Sequence, residues 1–158
     1  MTSPAVWASA WAIATAAAQA DGKQVLDPAA QNKTVPEAPY WLLETASSTS
    51  DRAGAGEPVN LEDGTVWLHL MVPRGTASLA ALTSRKAMSD AFRNVMKEAE
   101  TERPAALPVG LYYHSHSFDP PNLDQDGNRV RFSLGIDYEY QDILLWLPSV
   151  MQEFSDPY

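Results

Sequence analysis

The alternation over residues 129–141 constrains this chain more than any other feature. Val130, Phe132, Leu134, Ile136, Tyr138 and Tyr140 fall on one side of an extended backbone. Arg129, Arg131, Ser133, Asp137, Glu139 and Gln141 fall on the other. A period of two, with β-branched and aromatic residues on one side, specifies a half-buried antiparallel strand. Such a strand is stable only when it is paired along its edges and covered on its apolar face.

The partners it needs are written elsewhere in the chain. Residues 65–73, TVWLHLMVP, place Val66, Leu68, Leu70 and Val72 on one face and Trp67, His69 and Met71 on the other. Both faces are apolar enough that both are expected to be covered. Residues 39–46, PYWLLETA, alternate in the same way, with Tyr40, Leu42 and Glu44 opposed to Trp41, Leu43 and Thr45. Residues 109–118 form a further strand. Residues 77–102 read as a helix: Leu79 and Leu82 open its apolar stripe, and Met88, Phe92, Val95, Met96 and Ala99 continue it at helical spacing. Lys86, Arg93, Lys97 and Glu100 fall on its wet side, and Pro104 closes it.

The N-terminal stretch 4–20, PAVWASAWAIATAAAQA, has no charge. No basic segment precedes it, and Ser9, Thr15 and Gln19 interrupt it, so neither a secretory leader nor a membrane span is expected. An Ala-rich helix fits better, with Ser3 as N-cap, Pro4 in the first turn and Gly22 as the stop. Trp7 and Trp11 lie one turn apart, with Ala14 and Ala18 continuing their face. A helix apolar nearly all round suggests a subunit interface. Residues 21–38 read as a loop, residues 47–62, SSTSDRAGAGEPVNLE, as a long flexible loop, and residues 119–128, DPPNLDQDGN, as turns. The expected fold is therefore α+β: a mostly antiparallel sheet of about four strands packed against two helices, in the order α-β-β-α-β-β. It is one domain over residues 1–142, followed by a C-terminal extension over 143–158.

Charge and cysteine content narrow the function. Eleven Lys and Arg against twenty Asp and Glu leave a net charge of −9, which opposes ordinary binding to nucleic acid or anionic membranes. The absence of cysteine removes disulfides, Cys-ligated zinc, iron–sulfur clusters and thiol nucleophiles. His114 and His116 are spaced to share one face of a strand and so to reach one metal, yet no third ligand is evident and Asp119 would face away. They read as a surface pair. Asp124, Asp126, Gly127 and Asn128 resemble the start of a calcium loop, but Gly135 stands where the last carboxylate is required, and a hairpin turn explains them. Ser115 has a histidine on either side, and strand neighbours point away from each other. Glu44 and Asp137 are isolated carboxylates, and Gly54, Ala55 and Gly56 lack the lysine of a phosphate loop. The five tryptophans read as core and interface anchors. No catalytic, cofactor-binding or metal-binding residue is assigned.

Several segments together resemble the tail terminator proteins of long-tailed bacteriophages and of phage-derived gene transfer agents. They are PYW at 39–41, the DGTVWLHLMVPRG strand at 63–75, AFR at 91–93, GLYYHSHSFDPP at 110–121 and SLGIDYEYQD at 133–142. The likeness covers about residues 3–142 and is carried by structural rather than catalytic motifs. It implies a structural virion protein that forms a ring, usually a hexamer, on the head-proximal end of the tail tube. Such a ring ends tube polymerisation and presents the surface that joins the head. The implied partners are further copies of the chain, the tail tube protein and the head–tail connector or stopper. DNA would pass through the ring without specific binding. Assembly would occur in the bacterial cytoplasm, with no membrane, enzymatic activity or cofactor involved. Related roles are another tail-tube or connector subunit. A different class of role is a small α+β enzyme or ligand-binding domain, for which a deep pocket lined by His69, His114 and His116 would be the mark.

Overall fold

The computed structural model describes residues 2–30, 36–53, 59–124 and 127–143. The chain runs α1 (Pro4–Ala20), β1 (Gln24–Leu26), β2 (Tyr40–Ala53), β3 (Val59–Pro73), α2 (Ser78–Glu98), β4 (Leu111–Phe118), β5 (Asn122–Leu123) and β6 (Arg129–Ile143). One mixed sheet is ordered β1-β2-β3-β6-β4, with β5 also paired to β6. Among the described residues only the β1–β2 pair is parallel. The architecture is α+β, as the alternating strands and two periodic helices require.

The cross-strand register explains the core. Trp41, Leu70 and Phe132 stand in one row, and Leu43, Leu68 and Leu134 in the next. All six are buried in one cluster with Val6, Ala10, Ile13 and Ala14 of α1 and with Ala81, Met88 and Phe92 of α2. Both helices therefore cover the same face of the sheet. Trp67, His69 and Met71 point to the opposite face. Among the described residues no helix covers that face, which differs from the expectation that both sides of this strand would be covered. His69 and Met71 are buried nonetheless. The Trp67 ring lies over Gly135, where an added Cβ would come within 2.9 Å of it.

Long-range polar contacts tie the helices to the sheet. The Ser3 hydroxyl does not cap α1. A carboxylate from β3 does so instead: the Ser3 amide donates to Glu62 Oε1 and Oε2 at 3.1 and 3.2 Å. The Tyr138 hydroxyl donates to the same Oε1 at 2.6 Å. An anion at a helix N-terminus meets the exposed amides and the positive end of the dipole. Burial, followed by this carboxylate, holds the Tyr138 phenol above its ordinary value. Elsewhere Tyr113 donates to Ser9 Oγ at 2.9 Å, joining β4 to α1. Arg85 of α2 donates to the carbonyls of Asp119 and Ser133 at 2.7 and 3.2 Å.

Several expectations need correction. Residues 47–53 and 59–62 are not loop but the outer parts of β2 and β3, paired from Ser47↔Gly64 to Ala53↔Val59 with a bulge between Ser47 and Thr49. Their Ser- and Thr-rich composition misleads because backbone ladder bonds, rather than burial of an apolar face, hold this arm together. Its tip, residues 54–58, lies outside the described residues, as does the segment 144–158. The loop read over 21–38 contains β1, and the turns read over 119–128 contain β5. Leu79 and Leu82 are 78% and 41% exposed. The buried stripe of α2 begins instead with Ala81, Ser84 and Arg85. Its polar members hide it from a hydrophobicity pattern.

Gly110 precedes β4 at φ +91°, and a Cβ there would run into the Gln141 carbonyl oxygen. Gly22, at φ +69°, has open space around it. The left-handed conformation costs an L-residue about 1–2 kcal/mol, and overpacking adds about 1–3 kcal/mol. Gly110→Ala should therefore lose about 3 kcal/mol in urea unfolding and Gly22→Ala about 1 kcal/mol. Equal losses would contradict the close approach at Gly110.

Candidate functional site

Two constellations hold the polar chemistry of the described residues, and they lie on different faces. The first arises because Leu42, His69 and Ser133 are aligned across β2, β3 and β6. His69 Nδ1 is 2.7 Å from Ser133 Oγ, and His69 Nε2 is 3.3 Å from Glu44 Oε2. Burial holds the imidazole below its ordinary value near 6.5, while Glu44 opposes and Arg131 reinforces that shift. The ring is thus neutral near pH 7 and can accept the Ser133 proton while donating to Glu44.

A serine, a histidine and a carboxylate in contact resemble a nucleophile with its base and orienting group. The surrounding backbone argues against that role. Ser133 is 6% exposed and sits in mid-strand. Strand amides lie in the plane of the sheet, so they cannot converge on an oxyanion above the Ser133 hydroxyl. Its own carbonyl is occupied by Arg85 and by the amide of Asp119. The trio is a satisfied polar patch on a sheet face.

The second constellation is a groove of about 550 Å³ between the C-terminal half of α2 and β4. Arg93, Lys97 and Arg103 stand on its walls with Glu100, and Tyr112, His114 and His116 line it from the strand. Arg93 and Lys97 are one helical turn apart on α2. Arg103 is held in place: it donates to the Pro108 carbonyl at 2.8 Å and the Leu111 carbonyl at 3.4 Å, and its guanidinium lies 5.5 Å from the Tyr112 ring centre. His116 Nδ1 is 2.7 Å from Ser89 Oγ of α2. Burial, followed by the charge of Arg93, keeps its imidazole below the ordinary value.

The sequence-identified residues scatter over these surfaces. The β4–β6 register breaks between Tyr113 and His116, so the rule that strand residues two apart share a face does not carry His114 and His116 to one metal. His116 is half-buried against α2 and is not the surface residue expected. His114 is exposed, with Nδ1 3.4 Å from Ser115 Oγ. That contact was excluded by strand geometry and becomes possible at the irregularity. Among the described residues no group of three or more His, Asp or Glu side chains is placed to hold a metal ion. The turn reading of 124–128 fits the Gly127 amide bonded to the Asp124 carbonyl and the Asp124 amide bonded to the Arg129 carbonyl, while Asp126 lies outside the described residues. Gly54, Ala55 and Gly56 lie outside them as well. Glu44 and Asp137 are not isolated: Glu44 meets His69, and Asp137 accepts from the Thr65 hydroxyl at 2.8 Å. His69 is on the helix-free face and does not join the other two histidines. No helix among the described residues is long and apolar enough to cross a membrane.

No family model matches the chain, and no curated protein matches it. One solved protein, which bears no functional name, aligns over 87% of this chain and 96% of its own at 18% identity, with a TM-score of 0.47. A similarity of that degree carries no inference about this chain.

The two depressed imidazoles predict a pH dependence of stability. Folded His69 and His116 bind protons less readily than in the unfolded chain, so unfolding takes up protons below about pH 6.5. Stability is fully present above that value and declines as pH falls through the lower folded values. Urea midpoints should be lower at about pH 5.5 than at about pH 7.5. His69→Gln and His116→Gln should each flatten the difference, and an unchanged profile in both variants would count against this account.

Proposed function

We propose that this chain is a structural ring subunit of the tail-terminator kind. In this reading it forms a ring, usually hexameric, on the head-proximal end of a phage or gene-transfer-agent tail tube. It ends tube growth and presents the joining surface for the head connector, and DNA passes through without specific contacts. It acts in the virion by occupying surface, with no catalytic step.

One structural observation supports this reading most: the sheet has uncovered edges. β1 pairs only with Tyr40, Trp41 and Leu42, so residues 43–53 of β2 have no strand neighbour on that side among the described residues. β4 is the opposite edge. Exposed Val109 (74%), Tyr112 (45%) and Phe118 (46%) lie beside or on it. Monomeric sheets usually blunt such edges, whereas a ring subunit uses them head to tail around a closed symmetry. The stacked Trp7 and Trp11, with ring centres 5.9 Å apart, remain half-buried on α1 and add apolar surface. The separation of His69 from His114 and His116 weakens the alternative of a small enzyme. The terminator-like segments of β3, β4 and β6 are the further support.

A particle-forming strain lacking this chain tests the proposal. Electron microscopy of its lysate should show tailless heads beside tubes of uncontrolled length. Purified protein should restore joining to tails of correct length. Native mass spectrometry should find monomers or weak association, with rings forming at high concentration or on tails. Tails of normal length in the lysate, or a stable two-fold dimer under all conditions, would overturn the reading.

A further inference from the structure

We propose that the groove between α2 and β4 binds an extended acidic segment of a protein partner. The inference goes beyond the ring reading and does not depend on it.

Charge is the first observation. In a chain of net charge −9, this groove gathers Arg93, Lys97 and Arg103 against the single carboxylate of Glu100. These cations are available to a ligand. Arg93 has only a surface contact of 3.5 Å to Asp90, which solvent screens. Arg103 is already oriented by two carbonyls and the Tyr112 ring, so little side-chain freedom is lost when it meets a carboxylate. Ser89 engages Nδ1 of His116, which leaves Nε2 as the ring atom for a ligand.

Geometry favours a strand over a small ion or a nucleic acid. Arg93 and Lys97 are displaced by about 6 Å along the helix axis. Alternate side chains of an extended peptide are about 6.6 Å apart, so two carboxylates separated by one residue match the two cations. β4 supplies the rest of the platform. It has a strand neighbour on its β6 side alone among the described residues, and because Arg103 and Met96 already meet the Leu111 carbonyl and the Tyr113 amide, an added strand would pair with the part of β4 beyond Tyr113. Tyr112 and Val109 offer exposed apolar surface beside the cations, and a mixture of Tyr, Arg and apolar contacts is typical of the energetic centre of protein interfaces. A nucleic acid would meet the repulsion of the whole acidic chain.

The test uses the full chain and a labelled ten-residue peptide of alternating Glu and Val, followed by fluorescence anisotropy. A peptide of alternating Lys and Val, free succinate and inorganic phosphate serve as the other arms. The expected result is binding of the Glu peptide that weakens with salt, absence of binding by the Lys peptide, and weaker binding by both small anions. The double variant Arg93→Glu, Lys97→Glu should lose at least tenfold in affinity. The double variant Arg74→Glu, Lys86→Glu makes the same change in net charge at exposed positions outside the groove and should lose less than threefold. Amide shifts on titration should centre on residues 112–116. Failure of the Glu peptide to bind, equal binding of the Lys peptide, equal losses in the two double variants, or succinate or phosphate binding as tightly as the peptide would each overturn the proposal. All of these readouts are made on purified protein, so they fail or succeed separately from the particle experiment.

Discussion

The pairing of β3 with β6 is the constraint on which the rest of the structure depends. It runs without a break from Val59↔Ile143 to Pro73↔Arg129. A slip of β6 by one residue against β3 would turn Phe132 and Leu134 to the bare face and bring Ser133 under the helices. The apolar rows make that slip costly, because each buried Leu or Phe contributes roughly 1.5–3 kcal/mol. Once the pair is set, β2 extends it on one side and β4 on the other, and the helices can cover only the face that carries the apolar rows.

Buried polar groups then select where each helix sits. Hydrophobic contact alone is nondirectional and would allow α1 to slide along the sheet. Glu62 removes that freedom by joining the first turn of α1 to Tyr138, and Tyr113 bonded to Ser9 holds it a second time. Arg85 does the same for α2 by reaching the carbonyls of Asp119 and Ser133. It also lies 5.3 Å from the Phe118 ring centre and 5.9 Å from that of Phe132. Each of these groups would be costly to bury unpaired, so each favours one arrangement over its neighbours.

The same framework leaves particular surfaces open. The outer part of β2 and the whole of β4 carry backbone groups without a strand neighbour on one side. The groove beside β4 gathers three of the chain's eleven Lys and Arg residues. On the helix-free face, Glu44, His69 and Ser133 bond to one another. The features able to meet another molecule therefore lie at edges and grooves rather than in an enclosed cleft.

Much of the architecture was legible in the linear chain. Alternation in residues 39–46, 65–73 and 129–141, with helical spacing from Met88 to Ala99, determined the class, the order of the longer elements and most of the core, because side-chain periodicity is a local property. The polar arm of β2 and β3 was not legible, since ladder bonds leave no hydrophobic pattern. Nor were the outward Leu79 and Leu82, whose exposure depends on where α2 first touches the sheet. The contact of Glu44, His69 and Ser133 requires the register of three strands, and the contact of His116 with Ser89 requires β4 to pack against α2. The groove needs Arg93 and Lys97 on a helix to meet Tyr112 on a strand. Composition and period thus determined what each segment is, while only tertiary structure decided which charges and hydroxyls meet, because those distances depend on register and packing between segments remote in sequence.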